Sequence, residues 1–458
     1  MRVEVDTIAA VATAPGPGAL GVVRISGPGA ADVLRSLAPA LREDPPVRTA
    51  TLVELRDPQD GEGIDQAVAV RYEGPASYTG EDLVELSCHG GWLVPAMVLD
   101  ACRTAGARLA EPGEFTRRAY LNGKMDLVQA EAVADLVEAR SRALHRAAMG
   151  QLEQGLSHRV AGLRSGIVHL EALLAHHLDF PEEDDAPVPT GVIVTAARRI
   201  SEEMSVLLAT APEGELLREG AVAVLAGRPN AGKSSLYNAL LGEDRAIVTE
   251  EAGTTRDALE ASVQLGGYPF RLVDTAGLRD TDHRVERLGV EVARRFLARA
   301  DVVLLCVEAE RLPGNAELAF LEDLPDVPVL WVRTKADLGV GVGLDVEEGA
   351  RFAGSVEVSV RSGDGLAALR ALLPELVFAG LVRAESHSPV LTRRRQARAL
   401  STALREVDEF AEALDGGVPA EVASTHLRSA ETALEELLGI VAVDDILDVV
   451  FREFCVGK

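Results

Sequence analysis

The chain has 458 residues, 72 of them acidic against 46 basic, for a formal net charge of −26, and its hydrophobic content is 47%. That length allows about three domains. The acidic balance argues against broad, non-specific nucleic-acid affinity, which depends on neutralising phosphates, although a local RNA contact stays open. No apolar run reaches the roughly 18 residues of a membrane span. The opening MRVEVDTIAAVATAPG has early acidic residues and no unbroken apolar core, so no secretory signal is expected. Cys88, Cys102, Cys306 and Cys455 are scattered without a C-x-x-C pair. A cytoplasmic protein without a disulfide framework or zinc site is the expectation.

Residues 1–118 mix short β-like runs (ALGVVRISG, QAVAVRY, DLVELSCHG) with Gly and Pro turns, which predicts an α+β domain. No proline falls between Gly113 and Phe180, and LVQAEAVADLVEARSRALHRAAMGQLEQGL places apolar residues at helical spacing. Residues 119–217 therefore read as helical. Within them AHHLDFPEEDD sets His176 and His177 beside a run of carboxylates, read as a solvated acidic turn before a metal site. From 218 to 380 strand and helix signals alternate (AVAVLAG, FRLVDTAG, ADVVLLCVEA, VPVLWVRTKAD, VEVSVRS), the pattern of a parallel α/β sheet. Residues 381–458 return to helix, so the α/β unit is expected to be inserted into a helical domain. TRRRQAR reads as a solvated basic face first and an RNA contact second.

The strongest motif is G-x-x-x-x-G-K-S from Gly227 to Ser234, set between an apolar strand and a helical run as a phosphate-binding loop requires. Its backbone N–H groups, with those of Asn230, Ala231, Gly232 and Ser235, curl toward phosphate oxygens. Lys233 reaches the β- and γ-phosphates, Ser234 ligates Mg2+, and the helix N-terminus adds a favourable field. FRLVDTAG ends a strand at Asp274, placed to hold Mg2+ through water, followed by Thr275, Ala276 and Gly277 near the γ-phosphate. GTTRD offers Thr254 and Thr255 as a switch-type loop. TKAD (Thr334, Lys335, Ala336, Asp337) and VSVRSG (Ser359, Val360, Arg361) follow in the order of guanine-recognition loops. The Asp337 carboxylate can accept from guanine N1–H and the exocyclic amine, which adenine cannot match. Together the motifs look like a GTPase of the translation-factor-like class.

Three positions depart from common patterns. Thr334 stands where Asn is usual, which points to weaker nucleotide affinity with base choice preserved at Asp337. Val360 stands where Ala is commoner. Leu278 follows the DTAG turn where Ras-like enzymes place a water-orienting Gln, so another group must orient water. Glu286, at a helix start in GLRDTDHRVERLGVEVA, is close enough in sequence, and Asn230 could help hold a monovalent cation that offsets developing charge.

These motifs, taken with both ends of the chain, resemble the tRNA-modification GTPase family called MnmE, also TrmE. DTIAAVATAPGPGALGVVRISG, SYTGEDLVELSCHGG, EPGEFTRRAYLNGKMDLVQAEAVADLV and the closing FCVGK (with Val456 where Ile is common) carry the resemblance over nearly the whole chain. It implies an N-terminal tetrahydrofolate-binding and dimerisation domain, a helical domain and an inserted P-loop GTPase domain, in a multidomain α/β protein. It implies a homodimer and K+-dependent GTP hydrolysis triggered when two G domains meet. It also implies work with the FAD-dependent partner MnmG, placing an aminomethyl or carboxymethylaminomethyl group on C5 of the wobble uridine of certain tRNAs. The one-carbon unit would come from a 5-formyl- or methylene-tetrahydrofolate.

Carried over by position, K+ would be held by Asn230 with Thr249, Glu251 and Thr254, in a segment that also contains Glu250, Ala252 and Gly253. Mg2+ would be held by Ser234 and Thr255, and Glu286 would orient the attacking water. Folate would meet Arg24, Glu81, Lys124 and Lys458. Cys455 is open between a nucleophile and a packing residue, and a terminal prenyl box is disfavoured by Lys458 in last place. Two other functions share the G motifs: a regulatory switch in ribosome assembly, and a folate-dependent transferase with an ancillary GTPase. The first gives no reason for the folate-like N-terminal segment or the FCVGK tail, and all three predict GTP turnover.

Overall fold

The structure, a computed structural model, describes residues 6–179, 188–243, 260–274, 296–322, 324–339, 352–384, 388–441, 444–452 and 454–458. The chain divides into two compact units, Met1–Ala134 with Thr432–Lys458, and Asp135–Glu431.

In the first unit come β1 (Ile8–Val11), β2 (Leu20–Ser26), α1 (Ala30–Leu37), β3 (Thr51–Arg56), β4 (Gly63–Tyr72), β5 (Leu83–His89), α2 (Leu93–Thr104), β6 (Arg108–Leu109), α3 (Glu114–Leu121) and α4 (Leu127–Glu138), whose end runs into the second unit. The sheet has the order β3-β4-β5-β2-β1-β6 and is antiparallel apart from β1–β6. Alternation decides its faces. Val23, Ile25, Ala67, Ala69, Val84 and Leu86 point into one core with Val33, Leu34 and Leu37 of α1 and Val98, Ala101 and Cys102 of α2. On α1 the buried residues recur at positions 30, 33, 34 and 37, the stripe a 3.6-residue period predicts. Each buried Val, Leu or Ile of this core contributes about 1.5–3 kcal/mol. Between Val23 and Ile25, Arg24 is left on the opposite face, directly across from Glu85.

The second unit carries α5 (Arg142–Leu152), α6 (Gly155–Asp179), α7 (Thr190–Leu208) and α8 (Ala211–Glu219), then β7 (Ala221–Ala226), α9 (Lys233–Glu243), β8 (Glu260–Leu265), β9 (Tyr268–Asp274), β10 (Val302–Glu308), α10 (Asn315–Glu322), β11 (Val329–Thr334), β12 (Phe352–Val358), α11 (Leu366–Val377), α12 (Ala379–Arg383), α13 (Arg394–Asp415) and most of α14 (Ala420–Leu438). Ser141 caps α5, its hydroxyl accepting from Leu144 N at 3.1 Å. The sheet order is β12-β11-β10-β7-β9-β8. Five strands are parallel, and every residue of β7 and β11 is buried, as a strand covered on both faces requires. The sixth, β8, departs from the all-parallel expectation. It pairs antiparallel with β9 through Gly266-Gly267, whose φ values of +56° and +90° make the tight two-residue turn that glycine permits.

The basic run TRRRQAR does not form a wholly solvated face. Arg393 is buried, its Nη2 2.6 Å from Asp135 Oδ1 on α4. Arg218 Nε of α8 reaches the same oxygen at 3.2 Å, and the Thr392 hydroxyl donates to Asp135 Oδ2 at 3.2 Å. The neighbouring Arg394 does sit at the surface, on Glu215. A buried carboxylate recruits the arginine inward, because an unpaired charge there would be far costlier.

The chain then returns to the first unit with α15 (Asp444–Arg452). Leu447, Val450, Phe451 and Phe454 close over Leu127, Ala130 and Ala134 in one apolar cluster. Tyr120 and Leu127, from the stretch read as opening the helical domain, thus pack in the first unit. Among the described residues, no helix is long and apolar enough to cross a membrane.

Candidate nucleotide site and N-terminal ligand site

In the second unit the phosphate-binding loop leaves β7 at Gly227, whose φ is +135°. A β-carbon there would stand 2.3 Å from the Cys306 carbonyl oxygen of β10, so only glycine fits. Asn230 adopts the left-handed region at φ +64°, and Gly232 closes the loop at φ +86°. Buried Lys233 then donates from Nζ to the carbonyls of Gly227 (2.9 Å) and Arg228 (2.7 Å), arching its ammonium over the loop. On the adjacent strand Asp274 lies in register with Leu225, and the Ser234 hydroxyl donates to its Oδ2 at 2.7 Å. A hydroxyl and a carboxylate so placed are the hard oxygen donors that suit Mg2+. Burial, with the Asp274 carboxylate nearby, raises the Tyr237 phenol above its ordinary value. Burial also pushes the Cys306 thiol beneath the loop up to about 12, which makes it inert.

The candidate base-recognition residues sit at the ends of β11 and β12. The Thr334 hydroxyl donates to the Ala231 carbonyl at 2.7 Å, with the Val307 carbonyl at 3.3 Å. Lys335 is left-handed at φ +58° and pairs through Nζ with Glu308, whose carboxyl is thereby held below its ordinary value. Ala336 and Asp337 lie in a 3-10 turn, Ala336–Leu338. Buried Ser359 donates from Oγ to Asp337 Oδ1 at 2.8 Å and accepts from Ser362 N at 3.2 Å, which fixes the carboxylate's direction. Val360, Arg361 and Ser235 are exposed. Thr249, Glu250, Glu251, Ala252, Gly253, Thr254, Thr255, Thr275, Ala276, Gly277, Leu278 and Glu286 lie outside the described residues.

One contact escaped sequence reasoning. Arg228, a variable position of the motif, forms a two-pronged ion pair with buried Glu317 of α10, Nε–Oε1 at 2.6 Å and Nη2–Oε2 at 2.8 Å. Glu317 also accepts from Gly314 N at 3.0 Å. No local pattern links residues so far apart in sequence.

In the first unit, of the four candidate folate residues, Arg24 and Lys458 meet at the docked tail, while Glu81 and Lys124 have their contacts elsewhere in the unit. Arg24 lies 2.8 Å from Glu85 Oε1, donates to the Gly457 carbonyl at 3.3 Å, and stacks 5.4 Å from the Tyr78 ring centroid and 5.8 Å from that of Phe115. Glu81 accepts from the Ser26 hydroxyl at 2.8 Å and pairs with buried Arg118 at 3.2 Å. Lys124 donates from Nζ to the Pro75 carbonyl at 2.8 Å, and its stem borders Gly80. The Lys458 carbonyl accepts from Phe115 N at 3.2 Å, and the Cys455 carbonyl from Gly113 N at 3.3 Å, while Cys455 itself is exposed. Val456 bridges to Pro112. Gly457, at φ +95°, passes so close to β1 that a β-carbon would stand 2.5 Å from the Val11 carbonyl. Arg118 was not singled out in sequence. It reaches Asp6 Oδ1 at 2.6 Å and Glu114 Oε1 at 2.9 Å, while Arg108 reaches Glu114 Oε1 at 2.7 Å. Arg108 holds the Asp6 carboxyl below its ordinary value against the effect of burial. Burial alone would raise Glu114, but Arg108 and the Glu111 N–H bring it below the usual range. A guanidinium stacked on aromatic rings, a fixed carboxylate and two lysines suit a ligand with carboxylates at one end and ring N–H groups at the other.

Comparison with known proteins agrees over the full length. The family profile described as MnmE helical domain matches residues 127–455, and that described as GTP-binding protein TrmE N-terminus matches residues 7–124. The tRNA modification GTPase MnmE of Neisseria meningitidis serogroup B is 43% identical over 464 residues, spanning 100% of each chain. That of Azoarcus sp. is 44% identical over 457 residues, spanning 99% of this chain and 98% of its own. That of Laribacter hongkongensis is 41% identical over 461 residues, spanning 100% of each. The chain belongs to the MnmE family of tRNA modification GTPases.

Proposed function

We propose that this chain hydrolyses GTP with Mg2+, stimulated by K+, and as a homodimer works with FAD-dependent MnmG to build the aminomethyl or carboxymethylaminomethyl group on C5 of the tRNA wobble uridine, in the cytoplasm. The observation that carries the GTP reading is the Ser234 hydroxyl 2.7 Å from Asp274 at the mouth of the loop that Lys233 arches over. Mg2+ bound there would neutralise charge on the β- and γ-phosphates. Lys233 would exchange a loop carbonyl for a phosphate oxygen, and Asp337, fixed by Ser359, would select guanine. Asn230 with Thr249, Glu251 and Thr254 would hold K+, Thr255 would complete the Mg2+ site, and Glu286 would orient water.

In the first unit, Arg24 and the lysines Lys124 and Lys458 would take the carboxylates of a tetrahydrofolate derivative, and Glu81 its pterin N–H groups. The chain is then parsed as a folate-binding domain (1–118), a helical domain in two parts (119–217 and 381–458) and a G domain (218–380). A ribosome-assembly switch would leave the docked tail and the Arg24–Glu81 constellation without a role. The test is nucleoside analysis of tRNA from a deletion strain complemented with this chain. The wild type is expected to restore the C5-modified wobble uridine and Glu286→Ala to fail while remaining folded. Unmodified uridine in the wild-type complement overturns the proposal.

A further inference from the structure

Thr334 occupies the place where the guanine motif usually carries asparagine, and the structure says what the exchange does. Its side chain is 3% exposed, at the end of β11. Its oxygen lies 2.7 Å from the Ala231 carbonyl and 3.3 Å from the Val307 carbonyl. Both neighbours are acceptors, and a hydroxyl owns a single proton. The shorter distance assigns that proton to Ala231, inside the phosphate-binding loop. The loop backbone also packs on the side chain, since a β-carbon built on Gly232 would stand 3.4 Å from Thr334 Cβ.

A carboxamide in this position would own two protons, one for the loop and one to spare. Guanine N7 is an acceptor. Toward it, a hydroxyl whose proton is already committed can present only lone pairs. Asp337 is differently placed: a carboxylate has about four acceptor sites, and Ser359 uses one of them at 2.8 Å. The N1–H and amine edge of guanine can therefore still be read.

We propose that Thr334 is a latch that ties the phosphate-binding loop to β11, and that this chain selects guanine at Asp337 while leaving N7 unread. The inference rests on the guanine-nucleotide reading above and removes a base contact that the asparagine form of the motif can make.

The test compares binding of GDP and 7-deaza-GDP, in which N7 is replaced by C–H, to the full-length protein by competition with a fluorescent guanine nucleotide. Wild type is expected to bind both within about twofold. Thr334→Asn is expected to open a gap, with 7-deaza-GDP weaker by about fivefold, the worth of one hydrogen bond. Thr334→Val, which removes the latch, should weaken both nucleotides together and keep their ratio near one. Thr334→Ser, which keeps the hydroxyl, should behave as wild type and covers the case in which the valine variant does not fold. A wild-type gap of fivefold or more against 7-deaza-GDP overturns the proposal. Failure of the folded wild type to bind GDP at all, with ATP or ADP bound instead, removes the guanine reading and this inference with it.

Discussion

Replacing Asp135 by Ala tests whether the second unit depends on its buried charge cluster. Asp135 is buried on α4, with Arg393 at 2.6 Å, Arg218 at 3.2 Å and the Thr392 hydroxyl at 3.2 Å. Arg218 is 28% exposed and can recover its hydration, but Arg393 is 6% exposed and would lose its 2.6 Å carboxylate partner while still buried. Removing one partner of a buried pair costs about 3–5 kcal/mol. For the second unit, Asp135–Glu431, the unfolding entropy of about 2.1 cal/mol/K per residue gives about 1.6 °C per kcal/mol, so the melting transition should fall by roughly 5–8 °C. Circular dichroism melts of the full chain report it. Asp135→Ala combined with Arg393→Met removes both charges and should regain part of the loss, because apolar side chains in their place carry no desolvation cost for a charge. A fall of less than about 2 °C for Asp135→Ala would refute the reasoning, since it would mean that Arg393 finds water or another anion without cost.

Three further outcomes follow from single positions. Gly227→Ala drives a β-carbon to 2.3 Å from the Cys306 carbonyl, so guanine-nucleotide affinity should fall about tenfold or more. Its control, Gly242→Ala on α9, meets nothing within 4 Å. That change should stabilise by about 0.5–1 kcal/mol, read from urea midpoints. Gly457→Ala collides with the Val11 carbonyl, so 5-formyltetrahydrofolate affinity should drop and the tail should become cleavable by carboxypeptidase; unchanged affinity speaks against tail docking as part of that site. Asp6 and Glu114 are both held below their ordinary values. Carboxyls lowered by folding contribute stability that is complete above their unfolded values, near pH 4, and lost as pH falls through the lowered folded ones. Melts from pH 6 down to pH 3 should show that loss, and Glu114→Gln should flatten it; equal slopes in the two proteins would contradict the assignment.

Much of this was legible because its cause is local. Alternation along ALGVVRISG separates Val23 and Ile25, which face a core, from Arg24, which lies on the opposite face across from Glu85. The loop motif carries its own reason for each glycine, and the structure supplies the obstacle, the Cys306 carbonyl for Gly227. What was not legible depends on partners distant in sequence. TRRRQAR carries four arginines, and no pattern marks which of them turns inward; the choice is made by Asp135 on α4, far away in sequence. Arg228 finds Glu317 in the same way. Strand β8 was missed because its alternating polar face, EASVQL, is half-exposed and adjoins a Gly-Gly turn rather than a crossover helix.

The tail shows how the two kinds of information combine. Read alone, FCVGK leaves Cys455 open between a nucleophile and a packing residue. In the folded chain Cys455 contributes its carbonyl to Gly113 N, and the small residue Gly457 does what no other residue could, passing 2.5 Å (as measured to a built β-carbon) from the Val11 carbonyl. Its own carbonyl then accepts from Arg24, so the guanidinium is aimed by the last turn of the chain as well as by Glu85. A site assembled from β2, α3 and the final residues can form only when the first unit has closed around both of its segments. On the folate reading proposed above, ligand affinity at Arg24 becomes a readout of tail docking, independent of anything the thiol does.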